Sequence, residues 1–294
     1  MSLRDTVRAF RFYYKANSRA AVRAAFRGSA HYWWFPFFGS ETFTPRGGLP
    51  PVRVPRAHWR SLATIARLVG MGAHPEWSGA DLVITFKQYK FVQPATERWT
   101  PEGMFVQDLW HLGDRDLHGK VVLDVGAFIG DSSIAYAAHG AIVHAFEPVP
   151  VFYDYLVRNI TLNGMRDRIV PHIVALSNQE GVISDPATVK TLASQSHGCL
   201  PDGGAGQEIR VVDALAYLRT RDIGKVDILK MNCEGCEYDL FHDGRLLDEL
   251  HPEEVALEYH RGGEPIAHLL EAHGYRVDWP VRSHPKGLIF ARRI

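Results

Sequence analysis

Two hydrophobic rhythms divide the chain. Over residues 2–27 apolar and basic side chains recur every three or four positions, which predicts a helix with one basic stripe. An aromatic cluster at 31–38 follows, and then a Pro- and Gly-rich stretch at 45–55 that predicts a linker or an irregular loop. Helical spacing returns over 56–72. Residues 82–91 and 104–109 are β-rich runs, broken by Pro94 and Pro101.

From Lys120 onward strand and helix patterns alternate. Strands are expected at 121–125, 142–146, 169–176, 209–212, 226–231, 255–258, 275–279 and 288–291. Helices are expected between them at 132–139, 149–163, 213–219 and 265–273, with helical segments after 231 reaching to 250. A polar excursion with a Gly-rich tip at 202–206 leads into the run at 209. Strands apolar on both faces, alternating with helices, imply a mainly parallel sheet covered on both sides. Only 280–287 separates the final two strands, so they are expected to pair antiparallel.

Composition narrows the class. Of 294 residues 46% are hydrophobic and 22% charged, as in soluble globular proteins. No apolar run is long enough to span a bilayer. The first residues show no apolar run followed by a small-residue cleavage site, and three cysteines are too few for a disulfide framework. A reducing, cytoplasmic setting is therefore the expectation. Net charge is zero, but Arg4, Arg8, Arg11, Lys15, Arg19, Arg23 and Arg27 face only Asp5, so a basic arm adjoins a mildly acidic body. Such an arm suits peripheral contact with an anionic membrane. Packing on the acidic body, also across a homo-oligomer interface, is the favoured alternative.

Candidate chemistry concentrates at V-V-L-D-V-G-A-F-I-G-D-S-S, residues 121–133. A buried strand ends at Asp124, Gly126 and Gly130 allow close approach of the backbone to a ligand, and Asp131 or Ser132 is placed to cap the next helix. In open α/β sheets ligands bind at the carboxyl ends of strands. Glu147 ends the next strand 21 positions after Gly126, the spacing that suits bonding to ribose hydroxyls. Phe128 stands where a dinucleotide fingerprint needs Gly, which disfavours a nicotinamide-dependent oxidoreductase. An acid at 124 suits a cationic amino group better than a diphosphate. S-adenosylmethionine has ribose, amine and sulfonium and no phosphate.

These residues resemble the FkbM-type methyltransferases, a branch of the Rossmann-like class I enzymes. The resemblance runs through D-V-G-A-F-I-G-D-S-S, F-E-P-V-P, N-I-T-L-N-G, A-L-S and V-V-D-A-L to D-I-L-K-M-N-C-E-G-C-E-Y (227–238) and L-E-Y-H (257–260). It implies an α/β fold with a seven-stranded, mainly parallel sheet and an antiparallel last strand. A catalytic domain is expected over 116–294, and a helical N-terminal extension over 1–115 that contributes to the substrate pocket. It further implies that Asp124, Gly126, Gly130, Asp131 and Ser132 surround the methionine part of S-adenosylmethionine. Glu147 would hold the ribose, and Ala175 and Leu176 would lie near the adenine. Ala127, Phe128, Pro148 and Asn232 complete the expected cofactor set. Asn232 replaces the family's usual Asp, and Ser177 and Asn178 follow A-L where Gly and Asp are common.

Cys233 and Cys236 form a C-x-x-C whose only further thiol is Cys199, with His197 beside it. A zinc site needs four ligands. Small residues packed under the cofactor turn are the expectation instead, and no metal is expected. Glu234, Glu237, Glu258 and His260 fall at neighbouring strand ends. His260 is the expected general base or acceptor-orienting group, with Glu234 beside it, and the alternative is a structural histidine. The expected reaction is O-methylation of a hydroxyl on a sugar, glycan or natural product, with no nucleic acid partner. An N-methyltransferase of a small molecule and a catalytically silent S-adenosylmethionine-binding module are the alternatives.

Overall fold

A computed structural model describes residues 19–27, 42–48, 50–55, 62–79, 81–94, 104, 108–184 and 208–294. Most of the expected helix at 2–27, the aromatic cluster at 31–38, and the Gly-rich tip with Cys199 and His197 lie outside these residues. Two compact units emerge, Met1–Trp99 and Thr100–Ile294. The division falls before the expected boundary at 115.

In the first unit, α1 (Arg19–Ala25) packs against α2 (Leu62–Gly70), and β1 (Thr42–Phe43) pairs antiparallel with β2 (Val52–Arg53). A meander follows, built from β3 (His74–Ser78), β4 (Asp81–Phe86) and β5 (Tyr89–Pro94). Strand β4 buries Leu82, Ile84 and Phe86 on alternate positions, the period of a half-buried strand. The expected run at 82–91 is therefore a hairpin, turned at Lys87 with φ of 52°. Periodicity alone carries across so tight a turn.

The second unit is built on a seven-stranded sheet of β6 (Val121–Val125), β7 (Ile142–Phe146), β8 (Ile169–His172), β12 (Ile228–Met231), β13 (Glu254–Tyr259), β14 (Tyr275–Val281) and β15 (Gly287–Arg293). The spatial order is β14-β15-β13-β12-β6-β7-β8. Neighbours from β13 through β8 run parallel, and β15 runs antiparallel to both β13 and β14. This is the expected class I methyltransferase sheet. The order reverses direction at β6, so the crevice above β6 and β12 is the topological switch point.

Helices close the faces. α3 (Asp131–Ala138) packs on β6, β7 and β8, and α4 (Pro150–Leu162) packs on β8. α4 starts at a proline preset for the first helical position and buries Phe152, Tyr155, Leu156, Asn159 and Ile160, one face of a helix. α5 (Ala214–Thr220) is capped by Asp213, whose carboxylate accepts from the Ala216 amide at 2.8 Å. α6 (Cys236–Leu240), α7 (Arg245–Leu250) and α8 (Glu264–Ala272) complete the set. No helix among the described residues is long and apolar enough to cross a membrane.

Two expected strands differ. The run at 169–176 breaks at 173–174: β8 stays in the main sheet, while β9 (Ala175–Ser177) joins β10 (Gly181–Ile183) and β11 (Ile209–Asp213) in a small second sheet. Of the run at 104–109, Met104 is helical, Asp108 is irregular and Leu109 is turn. The Asp108 carboxylate accepts from the amides of Leu112 (2.6 Å) and Gly113 (3.0 Å), a local bond that competes with strand pairing.

Candidate active site

The turn after β6 owes its glycines to the protein's own packing. Gly126 has φ of 79°, and a Cβ there would collide with the backbone carbonyl of Asn232. Gly130 has φ of 89°, and its Cβ would fall 2.6 Å from Leu156 Cδ1 on α4. The atoms that approach closely here, the Asn232 carbonyl and the Leu156 side chain, give a packing reason for Gly at both positions. Gly130 also serves as N-cap of α3 without any side-chain cap, so neither Asp131 nor Ser132 takes the expected capping role. The turn is braced by Asn159 of α4, whose amide donates to the Ile129 carbonyl at 2.8 Å. Buried Ala127 sends its amide to the Phe146 carbonyl at 3.0 Å.

Asp124 is fully buried and engaged within the protein. One carboxylate oxygen accepts from Ser132 and Ser133 hydroxyls, each at 2.6 Å, and the other lies 2.7 Å from Lys230 Nζ. Lys230, equally buried on β12, also donates to the Gly126 carbonyl at 3.1 Å and sits over the Trp110 ring at 5.3 Å. Asp124, which the sequence matched to a ligand amino group, has a counter-charge within the protein: a buried carboxylate needs one, and Lys230 supplies it. The acid left at the turn is Asp131, half-buried at the start of α3. Burial pushes its carboxyl up to about 6, offset by Lys230 and raised further by Asp124.

Glu147 ends β7 at 5% exposure. Its oxygens accept from the Phe128 amide (2.9 Å) and the Val149 amide (2.8 Å). Each oxygen has two lone pairs, so each keeps one for a further donor. Burial pushes this carboxyl up to about 8, against the two amides that favour its charge. Phe128 holds φ of 51°, rare for a bulky residue, and stacks obliquely on Phe152 at 4.5 Å. Half-buried Pro148 leads from Glu147 into α4. Phe128, Ala175 and Ile183 pack against Val149, Phe152 and Ile209, an apolar wall beside Glu147. Ala175 is part of this wall. Leu176, one residue on, points the other way into the main core.

Asn232 closes the crevice at the end of β12. Its amide N–H pairs with the Val125 carbonyl at 2.9 Å. Its side-chain oxygen is buried with no hydrogen-bond partner among the described residues. A buried acceptor without a donor is costly, and a ligand donor removes the cost.

Beyond Asn232 lies a charged cluster. His260, 8% exposed, has Nδ1 at 2.9 Å from Glu237 Oε1 and Nε2 at 3.2 Å from Glu234 Oε2. Desolvation would lower its pKa, but the two glutamates outweigh burial and lift it to about 9. Nδ1 is hydrogen-bonded to Glu237, while Nε2 lies within ion-pair distance of Glu234 without hydrogen-bond geometry, an arrangement that favours the protonated ring over a free general base. Glu234, at φ of 56°, is shared with Lys286 Nζ at 3.1 Å. Burial opposes its ionisation, but His260 and then Lys286 hold its carboxyl below the usual range. Glu258 is half-buried and carries no ion pair among the described residues. The Tyr238 hydroxyl donates to the Gly262 carbonyl (2.9 Å) and accepts from the Arg261 amide (2.6 Å), fixing the His260 loop to α6.

Cys233 and Cys236 are joined by a disulfide. The expectation of small packing residues is corrected: C-x-x-C folded into the turn before α6 brings the sulfurs within bonding distance. Lys230, Lys286 and Tyr238 were not among the expected site residues. Lys230 alone left a signal, a charged residue inside an otherwise apolar strand; Lys286 and Tyr238 arrive through tertiary contacts.

Residues 124–277 match the family model described as the methyltransferase FkbM domain. No curated protein matches the sequence. Among solved structures, Trm5 of Methanocaldococcus jannaschii in complex with adenosine aligns at 13% identity and TM-score 0.45, covering 74% of this chain and 56% of that one. A methyltransferase FkbM from Methylobacillus flagellatus KT aligns at 16% identity and TM-score 0.44, covering 80% and 54%. TYW2 of M. jannaschii in complex with AdoMet aligns at 16% identity and TM-score 0.42, covering 74% and 89%. The chain thus spans about half the length of the first two.

Proposed function

The chain belongs to the FkbM methyltransferase family, and from that premise we propose that it transfers a methyl group from S-adenosylmethionine to a hydroxyl of a sugar, glycan or natural-product acceptor. The observation that carries the reading is the pairing, across one crevice, of Glu147 with the orphaned Asn232 oxygen. Glu147 would hold the ribose hydroxyls with its remaining lone pairs, while the Phe128 and Ala175 wall would take the adenine. Asn232 would accept from the amine, with Asp131 supplying the nearby negative charge. When bound, S-adenosylmethionine supplies an electrophilic methyl group on a cationic sulfur.

Methyl transfer to oxygen needs in-line placement and removal of one proton. Glu234 is the group suited to accept a hydrogen bond from the acceptor hydroxyl, because it lies at the edge of the cluster with a side chain 11% exposed. His260 acts through Glu234, holding that carboxylate in place, which makes it a positioning residue. Glu237 holds the other side of the ring. Turnover of a hydroxyl library by Glu234→Gln tests this. A fall of about a hundredfold or more, with unchanged affinity for S-adenosylhomocysteine, is expected; full activity sinks the assignment. Methylation of amines only would replace the hydroxyl reading with the N-methyl one.

A further inference from the structure

Cys233 follows the orphaned Asn232, and Cys236 opens α6 two residues after Glu234. The four-residue ring closed by their disulfide therefore contains Glu234, and Glu237 is the next residue beyond it. Both carboxylates that clamp His260 are thus set by this ring. Glu237 is completely buried: Oε1 faces His260 Nδ1 at 2.9 Å, and Oε2 accepts from the Gly235 amide at 2.9 Å. Cys233 Sγ lies 3.4 Å from that same Oε2. A disulfide sulfur carries no hydrogen, so in the oxidised protein this approach is contact only. As a thiol, Cys233 aims an S–H at Oε2 within the length of a sulfur hydrogen bond.

We propose that Cys233 and Cys236 are a reversible dithiol–disulfide pair that sets how tightly Glu237 holds His260. Reduction proceeds by thiolate attack of a dithiol on one sulfur, which breaks the S–S bond and forms a mixed disulfide. The second thiol of the reductant closes that mixed disulfide into its own. Two electrons and two protons pass to the cysteines, giving two thiols, and the dithiol leaves as a disulfide. Both cysteines are half-buried, which leaves them open to a small dithiol. C-x-x-C is also the spacing of established redox pairs.

The consequence follows from the hydrogen-bond count. A new donor on Glu237 draws charge toward Oε2 and weakens the carboxylate as partner of His260. Opening the ring also releases Glu234 from the turn that presents it to Nε2 at φ of 56°. The charged groups meeting the cluster are Glu234 and Glu237 directly, Lys286 through Glu234, and Arg261 and Tyr238 on the flanking loop. Lys286 and Arg261 lie outside the disulfide ring, and neither changes charge on reduction. His260 therefore loses proton affinity when the pair is reduced. The inference rests on the proposed function only where it places this cluster in the active site, and its test needs neither cofactor nor acceptor.

Full-length protein purified without reductant is treated with light iodoacetamide, then dithiothreitol, then heavy iodoacetamide, and the peptide carrying residues 233–236 is weighed. Heavy label on both cysteines is expected. In parallel the His260 imidazole, assigned by comparison with His260→Gln, is titrated by NMR before and after dithiothreitol. A drop in its midpoint of about half a pH unit or more is expected, reversed by reoxidation. Light label on both cysteines overturns the proposal, as does an unmoved His260 midpoint. Loss of dispersed signals throughout the spectrum on reduction also overturns it, because the bond is then a structural brace. Failure of S-adenosylhomocysteine to bind, by contrast, would count against the proposed function alone.

Discussion

Glu147 serves the fold and the proposed ligand with the same carboxylate. Its oxygens satisfy the Phe128 and Val149 amides, so Glu147→Ala removes the proposed ribose partner and unpairs two N–H groups. Losing a buried hydrogen-bond acceptor costs about 1–3 kcal/mol, so S-adenosylhomocysteine affinity should fall about tenfold or more by calorimetry. Unchanged affinity would remove the assignment. His260 makes a second prediction, through pH. Its folded pKa of about 9 stands above the ordinary 6.5, so its contribution to stability is complete below about 6.5 and is lost as pH rises through 9. The full effect is on the order of 3 kcal/mol. Denaturant unfolding from pH 6 to 10 should show this decline in the wild type and a flatter curve in His260→Gln.

Between elements, the turn from β6 to α3 shows why glycine spacing is informative yet ambiguous. Gly126 lets the loops after β6 and β12 meet, since its α-carbon faces the Asn232 carbonyl. Gly126→Ala adds a clash to a left-handed backbone and should lower stability by at least about 1–3 kcal/mol, displacing the orphaned Asn232 oxygen as well. A variant with wild-type stability and affinity would show that the loops yield at little cost. At the opposite end of the strands, Asp227 is buried, accepts from the Val121 amide at 2.8 Å, and meets Lys225 at 3.1 Å and Lys120 at 3.3 Å. Burial opposes its charge, but these donors hold its carboxyl below the usual 3.8. Its contribution is therefore present above about 3.8 and lost as pH falls through the depressed value. Asp227→Asn should flatten the acid limb of the unfolding curve, and an unaltered limb would count against this role.

At the scale of the whole molecule, ligand binding and folding are linked. A ligand that binds only the folded chain stabilises it by about 2.7 kcal/mol at a hundred times its Kd. S-adenosylhomocysteine should therefore raise the thermal midpoint in a concentration-dependent way, and NAD should not. The reverse result would favour the nicotinamide reading that Phe128 disfavours. The alternation of strands and helices was legible for a physical reason: the strands of the main sheet carry their own apolar periods, and most are followed by a helix. The hairpin at Lys87 and the break between β8 and β9 were not, because apolar spacing continues through both.

By itself the sequence determined the alternation of strands and helices, the glycine turn after β6 and the acid, Glu147, that ends β7. Those properties are local: they depend on side-chain period, on turn-forming glycines and on the residue that ends a strand. Only the tertiary structure decided which charged groups face a ligand and which face each other. Asp124 and Lys230 lie 106 positions apart and neutralise each other across adjacent strands, at Lys230's own register partner. His260 meets Glu234 and Glu237 only because β12 and β13 lie side by side with their ends aligned. Charge and protonation depend on distances through space, and the folded sheet alone supplies those distances.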